Sequence, residues 1–352
     1  MKMLLPTSLI LCVLLATSAA AAPTLYVEEP TYDFGSVLEG FAVRHTFVIQ
    51  NVGDETLEIL RIRASCGCTT AQLSTDHLAP GEAVNLEILI NTTGFGGKIS
   101  KSIYVYSNDP YYADSAESSR PDFILRVTGI VNRAQPYHMT VGDLDYFTYV
   151  LIDLRNPEAH AGGHLLGAIN IPYEELEESL DAFSYDTWLI VYDQTGALGD
   201  EAAAWLIDRG YTSVNSLRGG IDEWIRRFGP VYVDPTPESP TAHEVESSAQ
   251  DFSMDVDQFN YVFYLLIDLR LPEAYAAGHL AGAINVQPGD LVESLTFLPR
   301  DTFLILYHQT SEQSDGEVQA LEAEGFTRVR SLLGGLDEWK RQFDDELILT
   351  SE

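Results

Sequence analysis

Leu151-Ile152-Asp153-Leu154-Arg155 returns 115 residues later as Leu266-Ile267-Asp268-Leu269-Arg270. A short, continuous apolar run that closes on an acid and a base reads as a buried strand ending at a polar edge. Gly163-His164, Gly167-Ala168-Ile169-Asn170, Gly219-Gly220 and Trp224 return at the same offset. Their counterparts are Gly278-His279, Gly282-Ala283-Ile284-Asn285, Gly334-Gly335 and Trp339. Two copies of one unit therefore stand in tandem, aligned without insertion from Met139/Met254 to Phe228/Phe343.

Each copy alternates strands with helices. In the first, Val150 to Asp153, Gly167 to Pro172 and Trp188 to Tyr192 read as strands, and Gly199 to Arg209 and Asp222 to Phe228 as helices. That order predicts an α/β domain with a parallel sheet covered on both faces. Ligands of such sheets sit beyond the carboxyl ends of the strands.

The motif order resembles the rhodanese (sulfurtransferase) superfamily over both copies. The resemblance implies a nucleophilic cysteine directly after the strand Leu189-Ile190-Val191-Tyr192, cradled by backbone N–H groups and a helix N-terminus that favour its thiolate. It also implies an arginine near the loop end to hold an anionic sulfur donor. This sequence has Asp193 in place of the cysteine, and His308 after Leu304-Ile305-Leu306-Tyr307 in the second copy. The loops continue as Gln194, Thr195, Gly196, Ala197, Leu198, Gly199 and as Gln309, Thr310, Ser311, Glu312, Gln313, Ser314. Leu198 and Gln313 stand where the arginine is expected, so both loops lack nucleophile and cation.

For Asp193 the residues allow a carboxylate laid into its own loop as an N-cap is, or a phosphoryl-accepting nucleophile. His308 reads as a satisfied polar histidine or, alternatively, a phosphohistidine. Asp153 with Arg155 and Asp268 with Arg270, together with His164 and His279, read as structural signature residues. Gly219-Gly220 and Gly334-Gly335 read as sites of close backbone approach.

Residues 22–133 read differently. Val43 to Ile49 and Leu57 to Ile62 alternate in the manner of strands, and Asn51-Val52-Gly53-Asp54, Ala79-Pro80-Gly81-Glu82 and Gly94-Phe95-Gly96-Gly97 are turn signals. They predict an all-β sandwich. The segments Asp33 to Val37, Asn51 to Gly53, Ser65-Cys66-Gly67-Cys68-Thr69 and Leu78 to Glu82 resemble exported bacterial Ig-like domains of the Hydin (ASH) type. Cys66 and Cys68 leave three readings open: structural thiols or a non-catalytic disulfide, a redox or persulfide-carrying pair, or a metal site with His45 or His77.

Lys2, the apolar run Leu4 to Leu15 and the small residues Ser18 to Ala22 read as a secretory signal over residues 1–21. The organisation expected after it is the sandwich at 22–133, a first repeat at 134–229, an acidic proline-rich linker at 230–250, a second repeat at 251–346 and a tail at 347–352. The linker is long enough for the repeats to dock as a pseudo-dimer. Twenty Lys and Arg stand against 53 Asp and Glu, a net charge of −33, with only four lysines, Lys2, Lys98, Lys101 and Lys340. Such a surface repels nucleic acid and anionic lipid. It fits either an ordinary acidic exported protein or adaptation to high salt, where screening removes self-repulsion. The expectation is an exported, periplasmic or extracellular protein without cofactor or membrane span that binds a protein or envelope partner. The alternatives are a sulfurtransferase or persulfide carrier using Cys66 and Cys68, and a metal-binding envelope protein.

Overall fold

The computed structural model describes residues 21–113, 121, 123–235 and 250–350. The signal-like segment up to residue 20, the polar loop at 114–120, the linker at 236–249 and the last two residues of the tail lie outside the described residues. Two compact units make up the chain. Of the described residues, one holds 21–35, 43–91, 98–113, 121 and 123–130, and the other holds 36–42, 92–97 and those from 131 on.

The first unit is a sandwich of two sheets. Its strands are β1 (Leu25–Tyr26), β2 (Thr31–Leu38), β3 (Ala42–Asn51), β4 (Leu57–Ala64), β5 (Thr69–Leu73), β6 (His77–Leu78), β7 (Ala83–Asn91), β8 (Gly97–Ser107) and β9 (Phe123–Asn132), with a one-turn helix α1 (Pro110–Ala113) before β9. One sheet runs β1-β3-β7-β5 and the other β2-β9-β8-β4-β6. Period-two burial shows why these segments are strands. In β7, Val84, Leu86, Ile88 and Ile90 all point inward while their neighbours stay wetter. Full burial of such side chains stabilises by about 1.5–3 kcal/mol each. Asn51, fully buried at the end of β3, fixes the turn that follows. Its Nδ2 donates to the carbonyls of Glu55 and Leu78 at 2.7 and 3.0 Å, and its Oδ1 accepts from the N–H of Gly53 at 3.0 Å.

The second unit contains both repeats. The first comprises β10 (His138–Met139), α2 (Val141–Phe147), β11 (Val150–Asp153), α3 (Pro157–Ala161), β12 (His164–Leu165), β13 (Ala168–Asn170), α4 (Leu176–Ser179), β14 (Leu189–Tyr192), α5 (Ala197–Asp208), β15 (Val214–Leu217), α6 (Gly220–Phe228) and β16 (Val233–Asp234). The second comprises β17 (Ser253–Met254), α7 (Val256–Val262), β18 (Leu265–Asp268), α8 (Pro272–Ala276), β19 (His279–Leu280), β20 (Ile284–Asn285), α9 (Leu291–Ser294), β21 (Leu304–Tyr307), α10 (Asp315–Ala323), β22 (Val329–Leu332), α11 (Gly335–Phe343) and β23 (Ile348–Leu349). The central strands β11, β14, β18 and β21 are buried along their whole length, as a parallel sheet covered on both faces requires.

The two parallel sheets do not follow the repeat boundaries. Their orders are β13-β11-β14-β15-β17 and β20-β18-β21-β22-β10. β17, from the second repeat, pairs with β15 of the first through Ser216↔Ser253 and Leu217↔Met254. β10, from the first repeat, pairs with β22 of the second through His138↔Ser331 and Met139↔Leu332. The helices travel with their strands. Phe259 and Phe263, on and just after α7, pack on Trp224 of the first repeat at ring distances of 5.5 and 6.1 Å. Each repeat thus lends its opening strand and helix to the other.

This exchange has a pseudo-two-fold axis, marked by residues that meet their own counterparts. The rings of Tyr149 and Tyr264 lie 5.0 Å apart at the crossing. Gly167 and Gly282 meet so closely that a Cβ on either would come within 2.9 Å of the other's carbonyl oxygen. Both glycines also hold a positive φ, +81° and +77°, so two separate constraints require glycine there.

Candidate functional site

At the carboxyl end of β11, Asp153 is fully buried and Arg155 folds back on it. The guanidinium Nε donates to Oδ1 at 2.9 Å and one terminal nitrogen to Oδ2 at 2.6 Å, a bidentate pair. The same nitrogen donates to the carbonyl of Gly163 at 2.7 Å, and the other to the side-chain oxygen of Gln194 at 3.0 Å. Asp268 and Arg270 repeat the arrangement with Gly278 and Gln309 at 2.6 and 3.4 Å. Gln194 in turn donates to Asp222, and Gln309 to Asp337. The aspartate–arginine pair, the first loop residue and the last helix are therefore tied in one line in both copies.

Burial alone would raise the Asp153 carboxyl, but hydrogen bonds from His160 and Arg155 outweigh it and hold the group at about 2. Tyr192 OH also donates to Asp153 at 3.0 Å and accepts the N–H of Leu165 at 3.1 Å; burial pushes this phenol well above its ordinary value. His164 stacks on His160 with ring centroids 3.8 Å apart, and its Nδ1 lies 3.1 Å from the His160 carbonyl. In the second copy His279 stacks on Tyr275 in the same way. Burial lowers both His164 and His279, with the neighbouring His160 adding to the effect on His164.

The first loop is closed by its own acid. Asp193 is buried, and its carboxylate accepts the N–H groups of Gly196 at 2.7 Å, Gly199 at 3.2 Å and Thr195 at 3.3 Å. These are the loop donors that an anion would use. Behind the loop, Ile221 and Asp222 donate their N–H groups to the carbonyls of Asp193 and Gln194 at 3.0 and 3.1 Å. Gly220 makes that approach possible. A Cβ there would sit 2.3 Å from the Asp193 carbonyl oxygen. Helix α5 starts at Ala197, two residues before the Gly199 start expected from sequence, because Gly196 at φ +90° turns the chain directly into the helix. α6 likewise starts at Gly220 rather than Asp222, entered through two positive-φ glycines.

The second loop has another construction. His308 is half-buried, and its Nδ1 accepts the N–H of Gln309 at 2.7 Å. Thr310, Glu312 and Gln313 are exposed, and Ser311–Gln313 form a single 3-10 turn. Ser314 is fully buried and anchors the loop through Ser331, whose hydroxyl is 2.8 Å away. Ser331 donates to Asp315 at 2.7 Å, and Asp315 lies 3.0 Å from Nε2 of His138 on the exchanged strand β10. Leu198 packs against the core and Gln313 points to solvent, so neither loop has a cation at its end.

Residues 141–227 and 248–342 match the model of the rhodanese-like domain. The chain belongs to the rhodanese-like family. Residues 25–115 match a family described as a protein of unknown function, DUF1573. Among solved structures, the chain is similar to a protein of unknown function from Porphyromonas gingivalis (21% identity, 33% of this chain and 50% of that one, TM-score 0.27). It is also similar to thiosulfate sulfurtransferase from Pseudomonas aeruginosa (21% identity, 61% of this chain and 43% of that one, TM-score 0.23). A third is the ASH/PapD-like domain of human CEP192 (8% identity, 37% of this chain and all of that one, TM-score 0.26). The chain spans only about half the length of the first of these.

The expected sandwich and the expected tandem rhodanese-like domains are thus both present. Cys66 and Cys68 are joined in a disulfide, which removes the reading of packed free thiols. Their Cα atoms are 5.3 Å apart, closer than the ~6.5–7 Å of an extended strand, because the chain bends at Gly67 between β4 and β5. The metal alternative loses its two thiolate ligands, because both sulfurs are joined in the bridge. No group of three His, Cys, Asp or Glu placed to hold a metal occurs among the described residues. No described helix is long and apolar enough to cross a membrane.

Sequence reasoning passed over Asp222, Asp337, Tyr192, Tyr307 and His160. All but His160 recur at the 115-residue offset, and a search for polar residues conserved between the two copies finds them.

Proposed function

We propose that this chain is an exported, catalytically inactive rhodanese-family protein whose two rhodanese-like domains serve as binding or scaffolding modules. The observation that carries the reading is the Asp193 carboxylate lying on the loop N–H groups of Gly196, Gly199 and Thr195. A carboxylate has no sulfur to carry. It also neutralises the donors that would otherwise hold a thiosulfate or persulfide anion. The second loop has His308 in place of the nucleophile, Glu312 as added negative charge and no cation at its end.

Export is supported by the signal-like start of the sequence and by the Cys66–Cys68 bridge, a covalent state that persists in oxidising compartments. The excess of acid over base supports an acidic, salt-tolerant surface and a partner that is neither nucleic acid nor anionic lipid.

The test is thiosulfate:cyanide sulfurtransfer by the purified chain at low and high salt, with trapping of persulfide on the intact protein. The expected result is no turnover above the protein-free rate and no trapped sulfur. Turnover that persists in a Cys66→Ala/Cys68→Ala variant would place sulfur chemistry in the rhodanese-like loops and overturn the reading.

A further inference from the structure

We propose that the Cys66–Cys68 bridge is a thiol–disulfide exchange site that accepts two electrons from a dithiol substrate. The inference is independent of the reading of the rhodanese-like loops, because it rests on the sandwich unit alone.

The bridge is a poor staple. It encloses one residue, Gly67, and closing so short a loop removes little freedom from the unfolded chain. The loop is already held by other bonds. Ser65 donates its N–H to the Ser102 carbonyl at 2.8 Å, its Oγ accepts the Ser102 N–H at 3.1 Å, and Asn91 donates its N–H to the Cys68 carbonyl at 3.0 Å. These three bonds fix both flanks of the loop to β8 and β7 whether or not the sulfurs are joined.

The bridge is also reachable. Gly67 is exposed, and a Cβ built on it meets no atom within 4 Å, so that side of the loop is open. Both sulfurs share one hydroxyl. Thr69 Oγ1 lies 3.5 Å from the Cys66 Sγ and 3.7 Å from the Cys68 Sγ. Thr69 is itself buried, so this hydroxyl is held in place. Whichever sulfur departs as a thiolate has a positioned donor. Arg63 on β4 and Lys101, next to Ser102 on β8, put positive charge on the strands beside the loop in an otherwise acidic chain.

One substrate thiolate attacks a bridge sulfur and forms a mixed disulfide, while the Cys66–Cys68 bond breaks and the second bridge sulfur leaves as a thiolate. The second substrate thiolate then attacks the substrate sulfur of the mixed disulfide. The substrate departs as its disulfide, and Cys66 and Cys68 are left as a dithiol carrying the two protons the substrate lost. A small-molecule disulfide, such as oxidised glutathione, restores the bridge by the reverse route.

The experiment follows oxidation of a two-cysteine peptide in a glutathione buffer with the full chain, with Cys66→Ala/Cys68→Ala and with Thr69→Val. The chain is expected to speed disulfide formation about 10-fold over the double variant, and Thr69→Val to lose about 2- to 10-fold of that rate. The reduced chain, with both thiols confirmed by alkylation mass, is expected to melt within about 4 °C of the oxidised chain. Equal rates for chain and double variant would overturn the proposal. So would a bridge that a dithiol opens only when the sandwich unfolds, which would make it a structural clamp.

Discussion

Replacing Asp193 by alanine removes the acceptor of three N–H groups, two of them buried. The bond from Gly196 at 2.7 Å is the strong one, and those from Gly199 and Thr195, at 3.2 and 3.3 Å, are longer and weaker. A charge-assisted bond contributes about 1.5–3 kcal/mol, and the vacated carboxylate volume admits a water that recovers part of the loss. The net cost is about 2–3 kcal/mol. In a cooperative unit of this size each kcal/mol moves the melting temperature by about 2–4 °C, so a fall of about 4–12 °C is expected. The variant also gains a function the parent lacks, since the freed N–H groups form an empty anion nest. Sulfate or thiosulfate at a hundredfold over its Kd should restore about 2.7 kcal/mol. Differential scanning fluorimetry at fixed ionic strength, with chloride exchanged for sulfate, reads both effects. Asp193→Ala melting with the parent, or an anion that raises parent and variant equally, would refute this.

Other expectations follow from the same geometry. Asp153→Asn strands the Arg155 charge in a buried site and should cost about 3–5 kcal/mol, seen as a drop in the urea midpoint. Because the Asp153 carboxyl is held at about 2, its contribution is present above the ordinary carboxylate range. It is lost as pH falls from about 4 toward 2, so an acid titration of stability should lose slope there in the variant. His164 and His279, both lowered by burial, stabilise the fold while neutral; stability should begin to fall below the ordinary value of 6.5, and His164→Gln should flatten that part of the curve. Gly167→Ala places a Cβ 2.9 Å from the Gly282 carbonyl at φ +81° and should destabilise by about 1–3 kcal/mol in thermal unfolding. Asp193→Cys alone should remain without thiosulfate:cyanide turnover because Leu198 supplies no cation; turnover in that single variant equal to that of Asp193→Cys/Leu198→Arg would refute this.

The strands and the loop position were legible because their signals are local. An apolar run four residues long ending in Asp-x-Arg means a buried parallel strand wherever it stands, and it occurs twice. The fate of Asp193 was legible for the same reason, since a short carboxylate before Gly196 can reach the N–H groups of its own turn. Helix starts were missed by two residues because Gly196 and Gly219-Gly220, read as loop, enter the helices through positive φ. The Gln194–Asp222 link was invisible because it joins residues 28 apart whose types carry no motif. The exchange of β10 and β17 leaves no trace at all in the sequence. Each opening strand is only two residues long, His138-Met139 in β10 and Ser253-Met254 in β17, and a tandem repeat has the same offset whether its strands close at home or away.

That exchange makes the unit of heredity different from the unit of folding. A fragment cut at the sequence boundaries, 134–229 or 251–346, would carry a strand and a helix whose seats belong to the missing half, and would lack the pieces that complete its own sheet. It would have an uncovered sheet edge beside β15 or β22 and an orphaned apolar helix, a combination that invites association with a second copy. The linker is therefore more than a tether, because holding the two halves in one chain makes their mutual completion an intramolecular event. Duplication of a single repeat could lead to this arrangement, but once the openings are traded neither half can be discarded. Asp193 and His308, standing where the family's cysteine is expected, are thus compatible with retention of both domains, each being required to finish the other.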